Sequence, residues 1–109
     1  MNCGIRIILT TFATEACASA VVRALLEERL IACGNMIPDV RSLYRWKGSI
    51  EESAEIQVFL KTDQSHASLC MQRLEELHPY DAPEILLLDP VAASAPYSAW
   101  LRDALRIPE

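Results

Sequence analysis

Period-two alternation runs through Val40–Lys47, with Val40, Ser42, Tyr44 and Trp46 on one side and Arg41, Leu43, Arg45 and Lys47 on the other. A turn at Lys47-Gly48-Ser49 follows, and the chain returns through Ile50 to Lys61 with Ala54, Ile56, Val58 and Leu60 on a common face. Alternation on both sides of a glycine turn predicts a hairpin, here spanning Asn35–Thr62. Each arm of about a dozen residues extends roughly 40 Å at ~3.3 Å per residue. A compact chain of this length has a radius of gyration near ~13 Å, so the arms outrun the body. The other strand candidates, Ile5–Thr11 and Glu84–Leu88, are about half as long. Much of the ribbon therefore lacks a strand to lie beside in its own chain, and exposed strand edges invite pairing with other copies.

Helical periodicity fills the gaps. Thr14 offers an N-cap with Glu15 in the first turn, and Val21, Val22, Leu25 and Leu26 form an inner stripe. Gly34 is the expected stop of this helix. A second helix runs to about Leu77 on an inner face of Ala67, Cys70, Met71 and Leu74; His78, preceding Pro79, marks its end. Glu84–Leu88 is expected as a short buried strand. Pro96 suits the first turn of a last helix with Tyr97, Trp100, Leu101 and Ala104 inward. Pro38 cannot donate to a ladder, so a bulge is expected in the first arm. The order β-α-β-β-α-β plus a C-terminal helix predicts an α+β, ferredoxin-like sandwich, with two helices on one face of an antiparallel sheet.

Composition narrows the partners. The 109 residues suit a single domain, 1–109. Fifteen acidic against ten basic residues give a net charge of −5, which argues against nucleic acid or an anionic membrane as partner. The start, Met1-Asn2-Cys3-Gly4, has no basic segment leading into an apolar core, and no apolar run approaches the ~18 residues of a membrane span. A cytoplasmic protein is expected. The four cysteines, Cys3, Cys17, Cys33 and Cys70, are widely spaced, which favours free thiols over a disulfide framework or a structural zinc site.

Several blocks carry a family resemblance. Arg29-Leu30-Ile31-Ala32-Cys33-Gly34-Asn35-Met36-Ile37-Pro38 and Ser42-Leu43-Tyr44-Arg45-Trp46-Lys47-Gly48 resemble the CutA family of divalent-cation tolerance proteins. So do Lys61-Thr62, His78-Pro79-Tyr80-Asp81-Ala82-Pro83-Glu84 and Tyr97-Ser98-Ala99-Trp100-Leu101. The resemblance covers nearly the whole chain and implies a tight homotrimer linked to copper and other divalent metals, with no enzymatic activity. It also implies an architecture similar to the PII signalling trimers, which sense small molecules at subunit clefts. Two departures stand out. Thr10 occupies the position where some members carry a cysteine proposed as a metal ligand, and a hydroxyl suits soft copper(I) poorly. Asp39 stands where the family usually has glycine after the ribbon proline.

His78 and Glu84 are the metal candidates, an imidazole and a carboxylate suited to copper(II) or zinc(II) across a proline-braced turn. The alternative is that His78 caps the second helix and Glu84 pairs with a cation. Cys33 is either a third ligand or a small buried residue. Cys3 reads as exposed, and His66 as a surface residue. Tyr44, Trp46 and Tyr80, with Lys61 supplying positive charge, either line a subunit cleft or hold the trimer interface. Arg41, Arg45 and Lys47 are expected to pair across the hairpin with Glu51, Glu52 and Glu55.

Two functions follow. The first is a trimer that binds copper or another divalent metal weakly; the second is a PII-like sensor of a small anionic metabolite near Lys61. Enzymes of this topology that cleave acyl phosphates need an arginine and a glycine cradle after the first strand. Here that segment is Thr10-Thr11-Phe12-Ala13-Thr14.

Overall fold

The computed structural model describes residues 3–108; Met1 and Asn2, part of the start read for a leader, lie outside the described residues. The elements run β1 (Ile5–Phe12), α1 (Glu15–Glu27), β2 (Cys33–Trp46), β3 (Ser49–Asp63), α2 (Ala67–Leu77), β4 (Leu86–Leu88) and α3 (Ala95–Leu105). The sheet order is β2-β3-β1-β4 and every pairing is antiparallel. This is the ferredoxin-like arrangement, with the β2–β3 ribbon at one edge.

The ribbon protrudes as its length requires. β1 lies beside β3 only from Ile56 to Asp63, so the outer half of β3 pairs with β2 alone. The protomer is accordingly elongated, 48 × 30 × 22 Å. Lys47 (φ 49°) and Gly48 (φ 84°) both take left-handed backbone, joining Trp46 to Ser49 in the tight two-residue turn that matches strand twist. The bulge falls where Pro38 predicts. The register shifts between Ile37 and Val40, and Asp39 adopts φ 60°, a conformation that glycine takes without strain.

Ile8, Phe12, Ile56, Val58 and Leu60 of the sheet meet Ala18, Val21, Val22 and Leu25 of α1 and Cys70 and Leu74 of α2 in the main core. Thr14 caps α1 through its hydroxyl, which accepts from Cys17 N at 3.1 Å. Gly34 is not the stop. The helix ends at Glu27 with Glu28 as its C-cap, and Arg29 takes the left-handed position (φ 59°), with Leu30 N bonding back to Leu25 O at 3.0 Å. Gly34 instead lies in β2 beneath α1, where a Cβ would sit 2.6 Å from Val22 Cγ1. Close helix–strand packing is what demands glycine there.

Three expectations of burial are corrected. β4 spans three residues, and Leu86, Leu87 and Leu88 are all exposed on the open sheet edge. α3 turns Ser98, Leu101 and Leu105 inward, while Tyr97 and Trp100 stay exposed with their rings 5.7 Å apart. Leu26 is likewise exposed, and Ala18 takes its place in the α1 stripe. Leu101 and Leu105 pack on Ile5 with Ala32 and Cys3 in a second small core, so Cys3 is partly covered, and its thiol donates to Pro90 O at 3.3 Å. All four cysteines are free, as expected. Of the cross-strand ion pairs, Arg41–Glu52 forms, at 2.7 Å.

Candidate functional site

Where β1 ends at Phe12 and the ribbon continues alone, the Pro79–Glu84 connector folds back against it. Between them lies a cleft of about 840 Å³ whose walls include Tyr44, Trp46, Glu55, Tyr80, Asp81 and Glu84. Ribbon alternation places Tyr44 and Trp46 on the Glu51–Ser53–Glu55 side of β3, and this is why two aromatic rings and a carboxylate share one wall. Tyr80 spans the cleft floor, its hydroxyl donating to Glu55 Oε2 at 2.9 Å. Burial, and then the Glu55 carboxylate, push the Tyr80 phenol up to about 12. Tyr44 is held by a 3.0 Å hydrogen bond between its hydroxyl and Ser53 Oγ. Lys47 Nζ lies 5.8 Å from the centre of the Trp46 ring.

His78 lies beneath this cleft, 7% exposed. Its ring stacks on Phe12 with centroids 4.4 Å apart and planes 11° from parallel. Nδ1 accepts from the Tyr80 amide at 3.2 Å, which assigns the proton to Nε2, and Nε2 donates to Thr11 O at 2.7 Å. Burial holds the imidazole below its ordinary pKa; the Thr11 carbonyl and Glu55 oppose that shift. A neutral ring with both nitrogens engaged ties the end of β1 to the connector.

Within the protomer the metal candidates do not form a three-ligand site among the described residues. Glu84 lines the cleft, exposed, while His78 has no free nitrogen and faces the core side. Cys33 begins β2 opposite Lys61, half-buried, its thiol 3.7 Å from Asn35 Oδ1. Among the described residues no three of His, Cys, Asp and Glu converge to hold a metal ion. Glu84 has no ion-pair partner among the described residues, so the expected cation is missing from the protomer. Thr10 is fully buried under the helices, opposite Val58.

The aromatic candidates fare differently. Tyr44, Trp46 and Tyr80 converge on the cleft, but Lys61 does not join them. It pairs with Ile7 and Cys33, well along β3 from the Gln57 that lines the cleft. The positive group in the lining is Arg41, already bound to Glu52. Sequence reasoning passed over Arg41 and Glu55 as cleft residues because it treated the ribbon charges as a register device. Their signal was their nearness to the bulge, where the arm leaves the body.

The sequence model of the CutA1 divalent ion tolerance proteins matches residues 6–104. The divalent-cation tolerance protein CutA of Pectobacterium atrosepticum is 40% identical over 104 residues, covering 95% of this chain and 94% of that one. The crystal structure of CutA1 from Ehrlichia chaffeensis superposes with a TM-score of 0.92 at 31% identity, covering 98% of this chain and 99% of that one. A single-substitution variant of CutA1 from Pyrococcus horikoshii gives 0.90 at 39% identity over 94% and 99%. Matched along its length in both sequence and backbone, with the long ribbon and the cleft at its base, the chain belongs to the CutA1 family of divalent ion tolerance proteins.

Proposed function

We propose that the protein acts in the cytoplasm as a homotrimeric binding protein of the divalent-cation response, and not as an enzyme. The observation that carries this reading is the protruding ribbon together with the open β4 edge. Leu43 (63%), Ile50 (69%) and Leu86 (50%) are exposed in the lone protomer. Apolar side chains on an unpaired arm and an unpaired edge are what sibling subunits would cover. Closed rotational symmetry would let each arm lie on a neighbour.

The metal role rests on family membership. Weak copper(II) binding would begin at the exposed carboxylate of Glu84. His78 would join only by giving up its bond from the Tyr80 amide, and Cys33 only from another subunit. The aromatic cleft supports a second reading, a PII-like sensor that holds a small molecule where subunits meet.

Sedimentation at micromolar concentration tests the assembly. The expected particle has three times the 12.2 kDa of one chain. A folded particle of one chain mass would remove the proposal. Copper(II) titration of the wild type against Glu84→Gln and His78→Ala tests the ligand set, and affinity unchanged in both variants would exclude these residues. Cell fractionation tests the compartment; recovery in the periplasm would overturn the cytoplasmic assignment.

A further inference from the structure

The charge of the cleft selects among ligands. Its lining holds three carboxylates, Glu55, Asp81 and Glu84, against the one guanidinium of Arg41. That guanidinium is neutralised by Glu52 at 2.7 Å. Glu55 is engaged by the Tyr80 hydroxyl, whereas among the described residues Asp81 and Glu84 have neither hydrogen bond nor ion pair. Lys61, the cation that an anionic metabolite would need, lies elsewhere. Among the described residues the three carboxylates do not form a site for a bare metal ion. The walls also include the rings of Tyr44, Trp46 and Tyr80, whose negative faces attract cations and whose bodies shed water. The volume of about 840 Å³ falls within the roughly 300–1,000 Å³ usual for small-molecule sites.

We propose that this cleft binds an organic cation, an amine, amidine or guanidinium carried on a flat apolar body. The body lies against Trp46 and Tyr44, and the charge is held by Glu84 and Asp81. This deepens the binding-protein reading, on which it rests, and reverses the anionic ligand expected from sequence. An anion in the same place would face two unpaired carboxylates; the lining's own cation, Arg41, is paired, and Lys47 sits by the Trp46 ring outside the lining.

Benzamidine and benzamide differ in charge but little in shape, and so serve as probes. The chain has two tryptophans, and Trp100 is exposed on α3, outside the cleft lining. In Trp100→Phe protein, fluorescence therefore reports Trp46 alone. Saturable quenching by benzamidine at low ionic strength is expected, at least about tenfold tighter than by benzamide, equivalent to ~1.4 kcal/mol. Glu84→Gln combined with Asp81→Asn should remove that preference, and added salt should weaken it. Both side chains are exposed, so the double variant keeps its fold. Equal binding of the two probes, a preference unmoved in the double variant, or tighter binding of ATP than of benzamidine would overturn the proposal. Sedimentation of the same samples separates the two failures. A trimer without the preference sinks the cation site alone, and a monomer sinks the assembly while the titration still decides the ligand class, because every lining residue named belongs to one chain.

Discussion

Thr10 carries a hydroxyl that the fold does not use. Its side chain is fully buried between Ile8 and Phe12 on the helix-covered face, and Oγ1 has no hydrogen-bond partner among the described residues. The backbone is satisfied separately, since Thr10 O accepts from Gln57 Nε2 at 2.8 Å. A buried hydroxyl with no partner costs about 1–3 kcal/mol. Thr10→Val exchanges that hydroxyl for a methyl of nearly the same shape, so neither cavity nor strain offsets the gain. We expect a stabilisation of about 1–3 kcal/mol, read as a higher urea midpoint with an unchanged m-value. Protein concentration must be held fixed, because assembly would contribute to the midpoint. Thr10→Ser is the control: it keeps the hydroxyl, loses the methyl, and should fall below wild type. Thr10→Val that is no more stable than wild type would refute the reasoning, by showing that the hydroxyl is satisfied. Thr10→Cys replaces the hydroxyl with a thiol, which tolerates apolar burial better. Its labelling by thiol reagents should be slow in the folded protein; fast labelling would mean that the position is open to solvent and to metal.

Three further outcomes follow from the backbone and from His78. Burial depresses the His78 pKa, so below the ordinary value of about 6.5 the unfolded chain takes up a proton that the folded one resists. Stability is therefore full above about pH 6.5 and falls as pH drops toward the folded pKa, by at most ~1.4 kcal/mol per pH unit. Urea midpoints measured from pH 8 downward should show this slope and lose it in His78→Gln; equal slopes would acquit His78. Gly34→Ala places a methyl 2.6 Å from Val22 Cγ1 and should lower the midpoint by about 1–3 kcal/mol, whereas an unchanged midpoint would show that α1 can lift freely. Asp39→Gly relieves a left-handed aspartate at the bulge and should raise stability by up to about 1 kcal/mol, a gain that thermal melts would detect.

Local chemistry made much of the fold legible. The Thr14 cap, the Pro38 bulge, the glycine turn and the end of α2 at His78 each depend on a few neighbouring residues, and each is where the sequence puts it. Gly34 misled because glycine has two uses, ending helices and admitting close packing, and only the tertiary structure tells them apart. Arg29 took the left-handed stop instead, helped by a guanidinium that reaches Ala104 O on α3 at 3.0 Å. The cleft was half legible. Aromatic residues in the ribbon and the connector announced it, but the sign of its charge depends on Arg41 meeting Glu52 and on Lys61 being elsewhere, and both are facts of register.

The remaining discrepancies share a direction. Leu86, Leu87 and Leu88, Tyr97 and Trp100 were all expected to be buried, and all are exposed in the single chain. Hydrophobic pattern reports what a residue needs, without saying whether its own chain supplies it. A leucine run suited to a sheet with both sides covered here forms a three-residue edge with one side open. The arm shows the same imbalance, with Leu43 and Ile50 exposed on a ribbon that has no third strand beside it. Selection for a soluble monomer would have placed charge or proline at these positions, as edge strands ordinarily do. The proposed trimer would account for this pattern, and Leu86→Lys is the sharpest way to challenge it. If the edge meets a sibling subunit, that substitution should shift the sedimenting species toward the single chain and leave the protomer fold intact by circular dichroism. If the particle keeps its size, the edge is free and the proposed trimer would rest on the arms alone.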